Sequence, residues 1–213
     1  MIRCAVFDFD GTLVDSNAIK YASFLDVAAE LPGGAKTMAG VIDGLTNVTR
    51  YEIFDRFVAD MRIPEAQQAA LSREMAEKYS ALCHAEISKA AEISGAHAAL
   101  QRLGAQGVRL FVSSATPTEP LRALIQARGW GEVFHGVYGA PASKEAHIRR
   151  ILNKGGWAPT ELVYIGDSDA DRDAAERFSV RFVGVCVKPL RLSVCPPLFV
   201  ESLNDLPDIL LGL

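Results

Sequence analysis

Five short runs in this chain are close to continuously apolar: "IRCAVF" (2–7), "VRLFVS" (108–113), "VFHGVY" (133–138), "LVYIG" (162–166) and "RFVGVCV" (181–187). None shows the strict alternation of a half-exposed strand, so each reads as a strand covered on both faces. Helical patterns lie between the later runs. Leu121, Leu124 and Ile125 line one, Ile148, Ile151 and Leu152 a second, and Ala174, Ala175 and Phe178 a third. Ser94 is placed to cap a further helix carrying Leu100 and Leu103, which Gly104 or Gly107 would end. Strand alternating with helix predicts an α/β fold, a doubly wound parallel sheet of the Rossmann-like kind with right-handed crossovers.

The stretch 16–93 breaks that rhythm. It contains no run that reads as a strand, and three helical patterns account for most of it. The first covers 16–31, with Ala18, Ala22, Leu25 and Ala28 at helical spacing before Leu31-Pro32-Gly33-Gly34. The second carries Ile53, Phe54, Phe57, Val58 and Met61 and stops before Pro64. The third runs from 65 to 93, with Leu71, Met75, Tyr79, Leu82 and Ile87 along one side. Such a block is too long for an ordinary crossover between two strands and predicts an inserted helical domain. The expected division is therefore a core of 1–15 with 94–213, and an insertion of 16–93.

Composition excludes several functions. The net charge is −4, and no cluster of Lys and Arg interleaves with aromatics, so nucleic acid is not an expected partner. No apolar stretch approaches the length needed to cross a bilayer, and Asp8 and Asp10 interrupt any N-terminal signal core, which predicts a cytoplasmic protein with no membrane partner. Cys4, Cys83, Cys186 and Cys195 are scattered without a CxxC pair and read as reduced, mostly buried thiols. The histidines (His84, His97, His135, His147) lack metal-ligand spacing and read as core or surface residues.

Polar residues gather where the apolar runs stop. The first run ends at Asp8 and Asp10, the second in Ser113 and Ser114, and the fourth in "GDSDAD" (166–171). Lys144, in "APASKEAH", opens the helix leading back to the fourth run. In a doubly wound sheet the carboxyl ends of the strands share one edge, so these clusters should meet there. Asp8, Asp10, Asp167 and Asp171 would then crowd several carboxylates, which a proton or a cation must offset. Hard oxygen ligands without His or Cys suit Mg²⁺. Lys144, the hydroxyls of Ser113 and Thr116, and the backbone N–H groups of Gly11 and Thr12 add the charge and donors that a phosphate dianion requires. Two aspartates one residue apart on extended chain point the same way, so Asp8 can attack phosphorus while Asp10 handles protons.

These residues resemble a known family. "DFDGTLVDS" is similar to the DxDGT signature of the haloacid dehalogenase superfamily of phosphohydrolases. Ser113 after "LFV" resembles its second motif, Lys144 its third and "YIGDSDAD" its acidic fourth, in the same order. The resemblance covers the whole chain, with 16–93 matching the helical cap of the phosphoglycolate-phosphatase-like branch. It implies a strand order of 5-4-1-2-3 with the site at the ends of strands one, two and four. It implies Asp8 as nucleophile, Asp10 as acid and base, and Ser113 and Lys144 as phosphoryl binders. Mg²⁺ would be held by the Asp8 carboxylate, the Asp10 main-chain carbonyl and Asp167, with Asp171 or Asp169 contributing directly or through water. One departure is that the second motif often has Thr-Asn where this chain has Ser113-Ser114, so Ser114 or Thr116 can also face phosphate.

The expected activity is Mg²⁺-dependent hydrolysis of a small phosphomonoester, a sugar phosphate or phosphoglycolate, whose phosphorylated metabolite is the expected partner. Within "DGLTNVTRYEIF" (43–54), Asn47, Thr49 and Arg50 precede an apolar helix near where related caps present a substrate loop. Arg50 can pair with a second anionic group on the substrate, and a capping Thr beside a solvated Arg is the plain alternative. A phosphomutase shares the core, and a degenerate, non-enzymatic regulator is the contrasting class. Asp10 argues against a 2-haloacid dehalogenase and against a phosphonatase of this fold, and no nucleophile or metal aspartate is missing as a degenerate member would require.

Overall fold

The computed structural model describes residues 1–44, 48–187 and 191–212. In chain order the elements are β1 (Cys4–Phe7), α1 (Asn17–Ala28), α2 (Gly34–Gly44), α3 (Arg50–Asp60), α4 (Glu65–Ile87), α5 (Ala96–Ala105), β2 (Arg109–Pro117), α6 (Thr118–Ala127), β3 (Gly136–Ala140), α7 (Lys144–Gly155), β4 (Leu162–Gly166), α8 (Asp169–Glu176), β5 (Arg181–Val185), β6 (Phe199–Val200) and α9 (Leu206–Leu211). They divide into two compact units, Met1–Asp15 with Ala90–Leu213, and Ser16–Lys89.

The first unit is built on a parallel sheet in the order β3-β2-β1-β4-β5-β6. Phe7 of β1 pairs in register with Val112 of β2 and Ile165 of β4. Every residue of β1 and β4 is buried, as continuous apolar runs at the centre of a parallel sheet require. On one face Cys4, Val6, Phe111, Leu162 and Tyr164 pack against Ile148 and Ile151 of α7 and Ala174 and Ala175 of α8. Fully burying a large apolar side chain of this kind contributes about 1.5–3 kcal/mol. From β1 the chain moves outward through β2 and β3, then returns to β4 on the other side of β1. That reversal opens a crevice at the carboxyl ends of β1, β2 and β4.

The expected order of five strands is present, with β6 added beyond β5. β3 begins at Gly136 rather than 133, because Val133 closes a turn on the Trp130 carbonyl. β2 runs on to Pro117, and its pairing with β3 is irregular between Ser113 and Pro117, which leaves Ser113, Ser114 and Thr116 all buried.

In the helical unit Phe24, Phe54 and Tyr79 form an aromatic centre, with ring centroids 3.9 Å apart for Phe24–Tyr79 and 5.5 Å for Phe24–Phe54. Thr49 caps α3: its hydroxyl accepts from the Glu52 N–H, and the Glu52 carboxylate accepts from the Thr49 N–H at 2.6 Å. α2 was not expected. Gly34, Gly40 and Gly44 lower its intrinsic helix propensity, and burial of Met38 and Val41 against its neighbours makes up the deficit. The long helix ends at Ile87, and the division between units falls after Lys89 rather than after 93. Ala90–Ile93 belong to the sheet unit, where Asp15 N–H donates to Ala91 O at 2.9 Å and Ile93 N–H to Leu13 O at 3.0 Å.

Cys4, Cys83 and Cys186 are buried, whereas Cys195 is exposed with its Sγ 2.8 Å from that of Cys186. Burial and the neighbouring sulfur push the Cys186 thiol up to about 12, which leaves Cys195 as the accessible partner. Mild treatment with diamide, which takes up the two thiol hydrogens, is expected to join Cys186 to Cys195 before Cys4 or Cys83 reacts. Peptide mapping without reductant reads this directly, and a linkage to Cys4 or Cys83 contradicts it. Among the described residues no helix is long and apolar enough to cross a membrane.

Candidate active site

Asp8 follows the last residue of β1 and extends the ladder, its N–H donating to Ile165 O at 2.9 Å. Beyond it Phe9 is fully buried, which turns the side chains on either side of it together. Gly11 then takes φ +77°, a conformation that only glycine adopts without strain, and its N–H donates to Val14 O at 2.8 Å. The result is a tight loop closed by Leu13 and Val14, whose N–H groups both reach Phe9 O. At the end of β4 the Asp171 side chain lies directly over Gly166, where a Cβ would collide with it. Ser168, at the N-cap position of α8, donates from its N–H (3.3 Å) and its hydroxyl to Asp171 Oδ2.

Lys144, at the first turn of α7, reaches into this edge. Its Nζ donates to Asp8 Oδ2 at 3.0 Å and to Asp171 Oδ1 at 2.6 Å. Phe9 N–H donates to the other Asp8 oxygen at 2.6 Å. Thr12 Oγ1 lies 3.5 Å from Asp167 Oδ1. The Asp10 carboxylate is held separately, by Thr116 Oγ1 at 2.9 Å and more loosely by Ser114 Oγ at 3.4 Å, while Thr116 N–H donates to Ser114 Oγ.

Asp8, Asp10, Asp167 and Asp171 are all buried. Burial first, and then the charges of Asp171, Asp167 and Asp10, raise the Asp8 carboxyl from its ordinary 3.8 to about 8, against the opposing pull of Lys144. Burial disfavours the Lys144 ammonium too, but Asp171 and Asp8 outweigh it and hold that group well above its usual range. The protein alone therefore leaves Asp8 short of positive charge. Oxygens of Asp8, Asp167 and Asp171 lie within 4.8 Å of one another. This all-oxygen set, with neither His nor Cys in it, fits a hard divalent cation rather than zinc.

Asp8, Asp10, Thr12, Ser113, Ser114, Thr116, Lys144, Asp167 and Asp171 thus share one sheet edge, with Gly11 in the loop that shapes it. Asp169 does not join them. Its carboxylate accepts from the Ser193 N–H and hydroxyl at 3.1 Å and pairs with Arg172 at 2.8 Å. Thr49 and Arg50 belong to the helical unit, where Arg50 Nη1 donates to Ser80 Oγ at 2.6 Å and its guanidinium sits 5.5 Å from the Tyr79 ring centroid. Asn47 lies outside the described residues. One residue set aside from the sequence is found beside the site: His147, whose Nδ1 is 2.9 Å from Ser113 Oγ. Its spacing of three from Lys144, on one face of a helix, is the signal that could have found it.

The sequence model for haloacid dehalogenase-like hydrolases matches residues 5–185. A phosphoglycolate phosphatase of Rhodospirillum rubrum is 29% identical over 194 residues, 86% of this chain and 79% of that protein. A phosphoglycolate phosphatase of Escherichia coli is 27% identical over 235 aligned positions, spanning 96% of this chain and 91% of the relative. Among solved structures, a predicted phosphoglycolate phosphatase from Haemophilus somnus superposes with a TM-score of 0.79 at 21% identity, covering 98% of both chains. That last likeness is one of fold.

Proposed function

The chain belongs to the haloacid dehalogenase-like hydrolases, and on that premise we propose that it is a Mg²⁺-dependent phosphatase of small phosphomonoesters, of the phosphoglycolate or sugar-phosphate class. The observation that carries this reading is the division of labour between the two aspartates. Asp8 lies against Lys144 and the acidic cluster, whereas Asp10 is held apart by Thr116 and Ser114. A nucleophile and a proton carrier need those two different surroundings.

In the first step a carboxylate oxygen of Asp8 bonds to phosphorus as the bond from phosphorus to the leaving oxygen breaks. Asp10 donates its proton to that oxygen. Asp10 then takes a proton from water, whose oxygen attacks phosphorus and releases Asp8. Lys144, Ser113 and the Thr12 N–H hold the phosphoryl oxygens through both steps, whereas the Gly11 N–H is committed to Val14 O and the Ser114 hydroxyl to Asp10. Asp8, Asp167, Asp171 and the Asp10 carbonyl would hold Mg²⁺, which when bound supplies the positive charge that this carboxylate-rich edge lacks.

Substrate choice is assigned to the helical unit acting as the cap. Arg50 is a cation of that unit suited to a second anionic group, and its hold on Ser80 and Tyr79 limits the rotamer freedom it would lose on binding. The Thr49 hydroxyl is committed to capping α3.

A panel of phosphomonoesters assayed for released phosphate tests the reading. Release is expected with Mg²⁺, loss with EDTA, and recovery on adding Mg²⁺ back. A mutase would isomerise its substrate with little phosphate released and would need a bisphosphate activator. No turnover of any member, with Mg²⁺ present, overturns the proposal in favour of a binding role.

A further inference from the structure

We propose that His147 is a positioning residue that fixes the Ser113 hydroxyl with its hydrogen turned toward the phosphoryl site, an inference that rests on the phosphatase reading above. α7 places Lys144 and His147 on one face, three residues apart, and packs against β2. Because Phe7 pairs with Val112, the next residues along, Asp8 and Ser113, emerge side by side at the sheet edge. One helix face therefore serves both: Lys144 reaches Asp8 and His147 reaches Ser113.

The contact is dry and braced. Ser113 is fully enclosed and His147 is 3% exposed. Tyr138 stacks on the imidazole, with centroids 5.7 Å apart and planes 30° off parallel, which restrains the ring. The Ser113 main-chain oxygen accepts from the Tyr164 hydroxyl at 3.2 Å, which restrains the strand. An imidazole in so enclosed a place carries a desolvation cost that an apolar side chain of similar size would not.

Proton counting decides what the contact does. A serine hydroxyl has one hydrogen to donate. If the imidazole proton sat on Nε2, Ser113 would spend that hydrogen on Nδ1, and it could only accept at the phosphoryl site. It would also bury an Nε2–H that has no hydrogen-bond partner. With the proton on Nδ1, His147 donates to Ser113 Oγ, and the hydroxyl hydrogen is free for a phosphoryl oxygen. Burial, and the charges of Lys144 and Arg150, hold the imidazole below its ordinary range despite the Gly139 carbonyl, so the ring is neutral at pH 7 and has a single proton to place.

Nitrogen-15 spectra of the histidines, with His147 identified by the signals lost in His147→Asn, read the tautomer without any turnover. The expected result is a neutral ring protonated at Nδ1, and a proton at Nε2 overturns the proposal. Kinetics give the second arm. His147→Leu is expected to lower kcat about 10- to 100-fold, the scale of losing an aligned donor. His147→Asn, whose amide N–H can occupy the Nδ1 position, should recover most of that loss. Ser113→Ala should show a similar fall, and adding His147→Leu to it should cost less than about 2-fold more, as expected for two groups acting as one. Losses that multiply in the double variant, or an Asn variant as impaired as Leu at equal thermal stability, sink the idea. Failure of the phosphatase reading shows differently: wild-type protein releases no phosphate, while the tautomer remains measurable.

Discussion

Asp8→Asn is expected to eliminate phosphate release, by at least about 10⁴-fold, while the protein stays folded. The amide keeps the shape and the hydrogen bond from Phe9 N–H but has no anionic oxygen to attack phosphorus. Stability gives an independent signature. In the folded, metal-free protein Asp8 holds its proton up to about 8, whereas the unfolded chain releases it near 3.8. Between those values the folded state binds more protons than the unfolded state, so wild-type stability falls as pH rises across that window. The variant has no such group, and its melting temperature in EDTA should lose that part of the slope. The rise in melting temperature on adding Mg²⁺ should also shrink. Phosphate assays and thermal melts at several pH values check both, and undiminished turnover would remove Asp8 from the mechanism.

Lys144→Met should destabilise the sheet unit strongly as well as abolish activity. The Lys144, Asp8 and Asp171 side chains are 13%, 8% and 0% exposed, so water cannot screen what the ammonium leaves behind. Removing one partner of a buried ion pair typically costs about 3–5 kcal/mol, because the remaining charge is stranded. Because metal-free Asp8 already holds its proton up to about 8, the contact with Asp171 is the main ion pair lost, so a loss near the lower figure is expected, roughly 8 °C in melting temperature for a chain of this size. Mg²⁺ should restore part of the stability, since it supplies charge to the same carboxylates, but not the activity, which in the proposed mechanism needs Nζ at the phosphoryl oxygens. Urea melts with and without Mg²⁺ measure the first, and kcat measures the second. A variant as stable as wild type in EDTA contradicts the electrostatic account.

Much of this was legible in residue order because strand ends are chemically simple places. An apolar run such as "LVYIG" says where β4 lies, and the polar residues that follow it say what shares the crevice. The parts that escaped had physical causes. β6 has only two residues, Phe199 and Val200, too few to show any period. The glycines of α2 obscured a helix whose stability comes from burying Met38 and Val41. Asp169 and Asp171 look alike as acids in the first turn of α8, and only the space above Gly166 distinguishes them. His147 carried no signal as a lone histidine, since its partner Ser113 is 34 residues away in the chain. Charge crowding was readable, whereas a single proton between two buried side chains was not.

The backbone pairing of Asp15 with Ala91, and of Leu13 with Ile93, brings the exit and re-entry points of the helical unit side by side. Anything spliced in there has only to start and finish at adjacent positions, and the closure entropy of an insert grows slowly with its length. Joined at two neighbouring positions of the sheet unit, the segment Ser16–Lys89 has the connectivity of an exchangeable cassette. Evolution or a designer can swap that segment while every strand of the sheet keeps its register.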